Sequence, residues 1–258
     1  MEWDRLVAGV SRWTGRHGFQ LYALSEADSS NTFLLERPEL MAQPAICLVY
    51  AQTAGRGTRG RSWHAEPGRS LTFSVSLPMV RSDSLAGLTP ALGVALVEIL
   101  ARVGLGGVGL KWPNDLLLKG RKLGGILVET RTRGNQLALV VGVGVNLDHP
   151  RAPGLGRKLA ALSDLRDLSE SQQALVAALL VRTVARFLVG WPENRSSRLA
   201  RWAKHDVFLH RSVCLIREGE PVGQGISAGI DENGRLQIQT RSGIKRFVAG
   251  EVTARFED

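Results

Sequence analysis

Trp3, Leu6, Val7, Val10 and Trp13 recur every three or four residues, so the chain opens on an amphipathic helix that ends near Gly15–Gly18. A short strand over Phe19–Leu24 follows. The polar cluster Asp28-Ser29-Ser30-Asn31 then stands directly before Thr32-Phe33-Leu34-Leu35. That order predicts a helix start, with a side chain capping its free N–H groups. Pro38 and Pro44 bracket a loop, and the apolar run Ala45–Thr53 predicts a buried strand. Leu71–Leu77 alternates as LTFSVSL, the pattern of a half-buried strand. Leu85–Val103 reads as a long apolar helix. Val108–Trp112, Leu116–Leu118, Leu123–Arg131 and Gln136–Val145 read as successive strands, the last two joined by a turn at Arg133-Gly134-Asn135. Pro150–Gly156 is a loop, Glu170–Val189 a helix with an apolar face, and Arg195–Lys204 a further helix.

After about Asp206 the texture changes. Short strand-like runs at Val213–Ile216, Val222–Ile230, Leu236–Gln239, Lys245–Ala249 and Val252–Phe256 are separated by turn pairs such as Asn233-Gly234 and Ser242-Gly243. Turns at that spacing predict a small all-β barrel. The domain boundary is expected at 205–210, giving a first domain over 1–207 and a second over 208–258.

Composition narrows the class. Hydrophobic residues are 44% and charged residues 22% of 258, which excludes a disordered or collagen-like chain. The longest charge-free apolar stretches, Ser84–Val97 and Gly134–Leu147, contain breaks and fall short of a membrane span, and the first residues lack a secretory core. No membrane association is expected. Two cysteines, Cys47 and Cys214, cannot build a disulfide framework and read as thiols of a reducing compartment, hence a cytoplasmic protein. Lys and Arg number 33 against 24 Asp and Glu, a net charge of +9, which suits an anionic ligand or partner.

Three segments carry candidate chemistry. Gly55–Trp63 reads GRGTRGRSW. Its glycines let the backbone approach a ligand closely, Arg56, Arg59 and Arg61 offer forked donors suited to phosphate, and Trp63 offers a stacking face. The spacing Gly55-x-Gly57-x-x-Gly60 also matches a dinucleotide fingerprint, but the residues after it make a poor helix start, which that fingerprint requires. A solvated basic loop is the plainer alternative. In Lys111–Glu129, KWPNDLLLKGRKLGGILVE, Pro113 fixes a bend that leaves Asn114 and Asp115 on a turn. Lys122 then enters a strand beside Gly124-Gly125, where space is open. A plain turn and a surface lysine would explain the same residues. In Val140–Asn146, VVGVGVN, Gly142 and Gly144 clear one face of a strand, as under a ligand lying on the sheet; a glycine bulge is the alternative. The five histidines lack zinc spacing.

Taken together and in this order, these segments resemble the biotin–protein ligase family. The resemblance rests on Asp28–Asn31, Gln52–Trp63, Lys111–Asp115, Arg121–Glu129 and Gly142–Leu147, and extends to a tail around Gly225–Gly234 and Gly250-Glu251-Val252. It implies an α/β catalytic domain, a mixed sheet with helices of the class II tRNA-synthetase-like type, plus a C-terminal SH3-like barrel. It implies a two-step reaction, in which biotin and MgATP form biotinyl-5′-AMP and a lysine of a biotin carboxyl carrier domain then displaces AMP. Carried onto this chain, it implies that Ser29, Ser30, Asn31 and Gln52 hold the ureido ring, and that Arg56, Gly57, Thr58, Lys122, Gly125 and Gly142 complete the biotin site. Lys122 and Arg56 neutralise the reacting anions with Mg²⁺, for which no protein ligand is assigned. Asp115 helps place Lys122 or the metal. Trp63 stacks on adenine, Asn114 and Asn146 read its edge, and Arg59 and Arg61 face the phosphates or order the loop.

Two departures stand out. The family loop often has a second Arg at the position of Thr58, so this chain either clamps the intermediate less tightly or hands that task to Arg59. Ser29 also arrives too early for the N-terminal DNA-binding domain of about 60 residues that some members carry, so an enzyme without specific DNA binding is expected. The family implies a possible homodimer, and loops Gly55–Arg69 and Pro150–Ala161 that are mobile when empty. A lipoate or octanoate ligase or transferase of the same fold is the nearest alternative. A nucleic-acid-binding module using the basic loop is the other, although the tail offers only Phe208, Phe247 and Phe256 as stacking residues.

Overall fold

The computed structural model describes residues 1–37, 39, 42–80, 84–151 and 159–256. Parts of the expected loops at Pro38–Pro44 and Pro150–Ala161, and the last two residues, lie outside the described residues.

Helix α1 (Trp3–His17) ends at Gly18, whose φ of 71° suits glycine and lets its N–H bond back to Thr14. Strand β1 (Gln20–Ala27) follows, then α2 (Ser30–Leu35), β2 (Ala45–Gln52), β3 (Ser70–Val80), α3 (Leu88–Arg102), β4 (Val108–Lys111), β5 (Asp115–Leu118), β6 (Arg121–Arg133) and β7 (Gln136–Asn146). The seven strands form one sheet in the order β1-β2-β3-β7-β6-β5-β4. Only β1 and β2 pair in parallel; each other neighbouring pair is antiparallel. Helix α4 (Glu170–Val189) starts at a capping box between Ser169 and Gln172. By length and composition α4 could cross a membrane, but it packs here against α1, α3 and β3. The helix expected over Arg195–Lys204 is broken into α5 (Arg195–Leu199) and a 3-10 turn at Trp202–Lys204.

Side chains leave each strand alternately toward two faces. One face is the main core: Ile46 and Leu48 of β2, Leu71, Phe73 and Val75 of β3, and Val141, Val143 and Val145 of β7 bury against α1, α3 and α4. On the other face Ala45, Cys47, Val49 and Val140 make a smaller cluster with Leu34 of α2. The alternation in β3 therefore does not mark a solvated face, as the sequence suggested. Thr72, Ser74 and Ser76 are all buried, because α2 and the loop after β2 cover them. That face is polar for a reason other than water.

The C-terminal strands β8 (Ser212–Arg217), β9 (Glu220–Ile230), β10 (Leu236–Thr240), β11 (Gly243–Phe247) and β12 (Thr253–Phe256) form an antiparallel sheet in the order β11-β10-β9-β8-β12. Val213, Leu215, Leu236 and Ile238 continue the main core through Trp202 and Phe208. The buried indole of Trp112 donates to the carbonyl of Gly234 at 3.0 Å, tying the turn after β4 to this sheet.

Trp112→Phe keeps most of the apolar bulk and leaves the Gly234 carbonyl unpaired. It should lower stability by about 1–3 kcal/mol. A urea unfolding midpoint equal to wild type would show that this bond contributes nothing.

Candidate functional site

The register of the central strands assembles the site. Ser74, Gly142 and Leu127 stand side by side across β3, β7 and β6; one step along, Thr72, Gly144 and Gly125 do the same. The second row continues through Asp115 of β5 to Lys111 of β4. These residues share the face opposite the main core, and two of the three strands carry glycine in the second row. A cavity of about 340 Å³ opens on this face.

A β-bulge brings Lys122 there. Asp115 pairs with Gly125 and Leu116 with Gly124, but Leu117 pairs with Lys122, skipping Leu123. A regular ladder would send Lys122 to the opposite face. The extra residue turns Leu123 into the core and Lys122 into the cavity, where its Nζ lies 2.5 Å from Asp115 Oδ1. Ammonium and carboxylate are each about one-fifth exposed. Asp115 itself does not line the cavity.

The space above the glycines is occupied by protein. A Cβ at Gly142 would fall 2.3 Å from Asn31 Oδ1, and one at Gly144 would fall 2.4 Å from the Trp63 indole. The expectation of a strip cleared for a ligand is therefore corrected: glycine at these positions first admits Asn31 and Trp63. Lys122 Nζ sits 5.8 Å from the Trp63 ring centre, a cation–π distance. Among the described residues Trp63 Nε1 is a buried donor without a hydrogen-bond partner.

The polar end lies at the start of α2. Ser29 occupies the cap position but its hydroxyl caps nothing; instead Gln52 Oε1, at the end of β2, accepts the Ser30 N–H at 2.8 Å. Ser74 Oγ lies 2.7 Å from Ser30 Oγ and 2.5 Å from Asn31 Oδ1. Asn31 Nδ2 donates to Glu129 at 2.9 Å, and Glu129 also holds Arg56 Nη2 at 2.6 Å. Arg56 reaches Thr32 Oγ1 as well. Ser74 and Glu129 were not singled out as site residues; the polar positions of LTFSVSL were the available signal for Ser74.

The basic loop folds onto itself. Gly57 N–H donates to Arg61 O at 2.7 Å and Trp63 N–H to Gly55 O at 2.8 Å. Gly55 is required here, since a Cβ would meet Trp63 O at 2.3 Å. Its centre is one 3-10 turn, Thr58–Gly60, not the helix of a dinucleotide fold. Arg56, Gly57, Thr58, Arg61 and Trp63 line the cavity. Arg61 donates to both the carbonyl and the hydroxyl of Thr58. Arg59, expected at the phosphates or clamping in place of Thr58, sits elsewhere. Its left-handed backbone (φ 59°) turns the guanidinium toward β12, where it donates to Thr253 Oγ1 and Gly250 O, each at 2.8 Å.

Asn114 and Asn146 line the cavity with amide nitrogens already donating to Ile126 O and Ala160 O. Lys111 is held below its ordinary pKa by burial first, with Asp115 opposing and the charges of Lys122, Arg255 and Arg61 adding to the depression. Among the described residues no group of three or more His, Cys, Asp or Glu could hold a metal.

Two family models match the chain: the biotin/lipoate A/B protein ligase family over residues 24–146 and the biotin protein ligase C terminal domain over residues 208–255. The bifunctional ligase/repressor BirA of Escherichia coli is 34% identical over 241 residues, covering 92% of this chain and 75% of that protein. The biotin–[acetyl-CoA-carboxylase] ligase of Mycobacterium tuberculosis is 30% identical over 257 residues, covering 96% of this chain and 92% of the other. The biotin protein ligase from Aquifex aeolicus in complex with biotin and ATP superposes with a TM-score of 0.77 at 26% identity, covering 92% of this chain and 99% of that one.

Gly144→Ala should push the Trp63 indole off the sheet and loosen the loop. Hydrogen exchange at the Gly57 and Trp63 amides should rise about tenfold, with about 1–3 kcal/mol of overpacking cost. Unchanged exchange there would mean the indole does not depend on the glycine.

Proposed function

We propose, for a chain that belongs to the biotin/lipoate A/B protein ligase family, a two-step ligase reaction. A biotin carboxylate oxygen attacks the α-phosphorus of ATP, giving biotinyl-5′-AMP and pyrophosphate. A lysine amine of a biotin carboxyl carrier domain then attacks the acyl carbon and expels AMP, forming an amide. The observation that carries this reading is the cavity itself: a buried polar end at Ser30, Asn31, Gln52 and Ser74, with Lys122 and Trp63 beside it.

Each part suits its task. Ser, Asn and Gln satisfy the donors and acceptors of a urea without placing charge in a dry pocket. A carboxylate meeting a phosphate brings two anions together, and repulsion is the barrier to be lowered. Lys122 has three N–H donors. One is spent on Asp115, which fixes the ammonium, and two remain for the oxygens of the reacting centre. Arg56 supplies a second cation from the other side, anchored by Glu129. Trp63 gives the adenine a flat face, and its indole N–H is available to an acceptor. The acceptor lysine is the nucleophile of the second step, so none is needed from this chain.

Magnesium enters as part of MgATP. The cavity's carboxylates, Asp115 and Glu129, are each engaged by a cation, and phosphate oxygens and water complete the coordination that Mg²⁺ prefers. A reducing cytoplasm suits two free cysteines, one of them the buried Cys47, whose thiol burial pushes up to about 12. A lipoate substrate is the second reading, since the matching family includes lipoate ligases. The polar end argues against it, because a dithiolane ring offers no hydrogen-bond donors to satisfy these groups.

Biotin-dependent exchange of pyrophosphate into ATP tests the assignment. Exchange with biotin, absent with lipoate and octanoate, is expected; exchange with lipoate alone would overturn it. Lys122→Gln should lower the exchange rate by about 10²–10³ at an unchanged unfolding midpoint. Thr58→Arg should slow release of biotinyl-AMP about tenfold or more by adding a charge-assisted bond. Equal release from both proteins would show that Thr58 does not weaken retention.

A further inference from the structure

The hydrogen bonds at the polar end run in one direction only. A carboxylate accepts and does not donate. Glu129 therefore forces Asn31 to present its NH₂ toward β6 and its carbonyl oxygen toward β3. An amide oxygen accepts only, so the contact between Ser74 and Asn31 consumes the Ser74 proton. Ser74 Oγ has then only lone pairs left for Ser30, and the 2.7 Å contact between the two hydroxyls is made by the Ser30 proton. Ser30 has no proton left. Ser30, Asn31 and Ser74 are all buried, Ser74 completely, so water does not scramble this order.

We infer that Glu129 and Ser74 are specificity-determining positioning residues, which commit Ser30 Oγ to meet the ligand as an acceptor. The inference rests on the biotin reading above and deepens it. A ring N–H, as in a cyclic urea, completes the chain. A ring atom carrying only lone pairs faces Ser30 lone pair against lone pair, and neither side can give way. Arg56 strengthens the device by anchoring the carboxylate at its far end, at 2.6 Å. The selectivity against a donor-free ring thus originates at Glu129, on a strand that Ser30 does not touch.

The test uses biotin and its two cyclic carbamate isosteres, in each of which one ring N–H is replaced by O, bound to the full chain by calorimetry. For wild type, one of the two carbamates should bind about ten- to hundredfold more weakly than biotin. Ser74→Ala frees the Ser30 proton while leaving the Arg56–Glu129 pair in place, and the ratio for that carbamate should fall to within about threefold. Glu129→Gln lets the Asn31 amide reverse, and with it the whole chain, so the ratio should collapse there too. A ratio unchanged from wild type in both variants would overturn the proposal, as would a wild type that binds biotin and both carbamates equally. A wild type that binds no biotin at all would overturn the biotin reading itself, and the proposal with it.

Discussion

Two glycines on one strand set the limits for everything around them. Gly142 and Gly144 leave the middle of the sheet without side chains on one face, and Asn31 and Trp63 descend into that space from α2 and the basic loop. A methyl group at either position would meet them at distances that real Cβ atoms do not show. The consequence is a thin floor, backbone rather than side chain, on which a small polar end and an aromatic end lie one residue pair apart. The Ser74 and Thr72 hydroxyls flank the floor on β3, and Gly125 and Leu127 flank it on β6.

The bulge in β6 complements this arrangement. Because side chains alternate strictly along a strand, a single skipped residue changes which face receives every later side chain. Leu123 enters the core at no exposure, and Lys122 joins Asp115 above Gly125. The lysine is therefore placed by backbone geometry that the rest of the sheet enforces. Its carboxylate partner fixes the last bonds of a long side chain, which would otherwise keep much of its rotamer freedom in the open cavity.

Periodicity was sufficient to find the strands and the long helices, since hydrophobic spacing follows directly from packing. It failed where one face of a strand is buried for a reason other than apolarity. LTFSVSL has the alternation of a half-exposed strand, yet its serines are among the most buried polar residues, covered by α2 and the loop after β2. Motif residues such as Gln52, Trp63 and Lys122 could be placed at one site through resemblance, and the structure gathers them around one cavity. Partnerships were not legible. Nothing in spacing links Glu129 to Asn31 across 98 positions, or turns Arg59 toward Thr253 across 194. Those contacts depend on strand register and on one left-handed residue, both set by the complete fold.

The charge balance of the cavity follows from these partnerships. Isolated ions are costly away from water, and each cation closest to the floor has a carboxylate against it, Arg56 with Glu129 and Lys122 with Asp115. Those pairs are neutral as units, so the net attraction for an anion comes from the next shell outward. Arg61 is bonded only to Thr58, a neutral residue, among its hydrogen bonds here, and Lys111 shares its one nearby carboxylate with Lys122. Lys111 registers the crowding: burial and then the neighbouring cations depress its pKa, against the single opposing influence of Asp115. A polyanion seated beside these groups would relieve that repulsion while the inner pairs keep their geometry. Binding strength and reactive alignment are thereby supplied by different cations, the outer ones drawing the nucleotide in and the inner ones holding the reacting atoms in line.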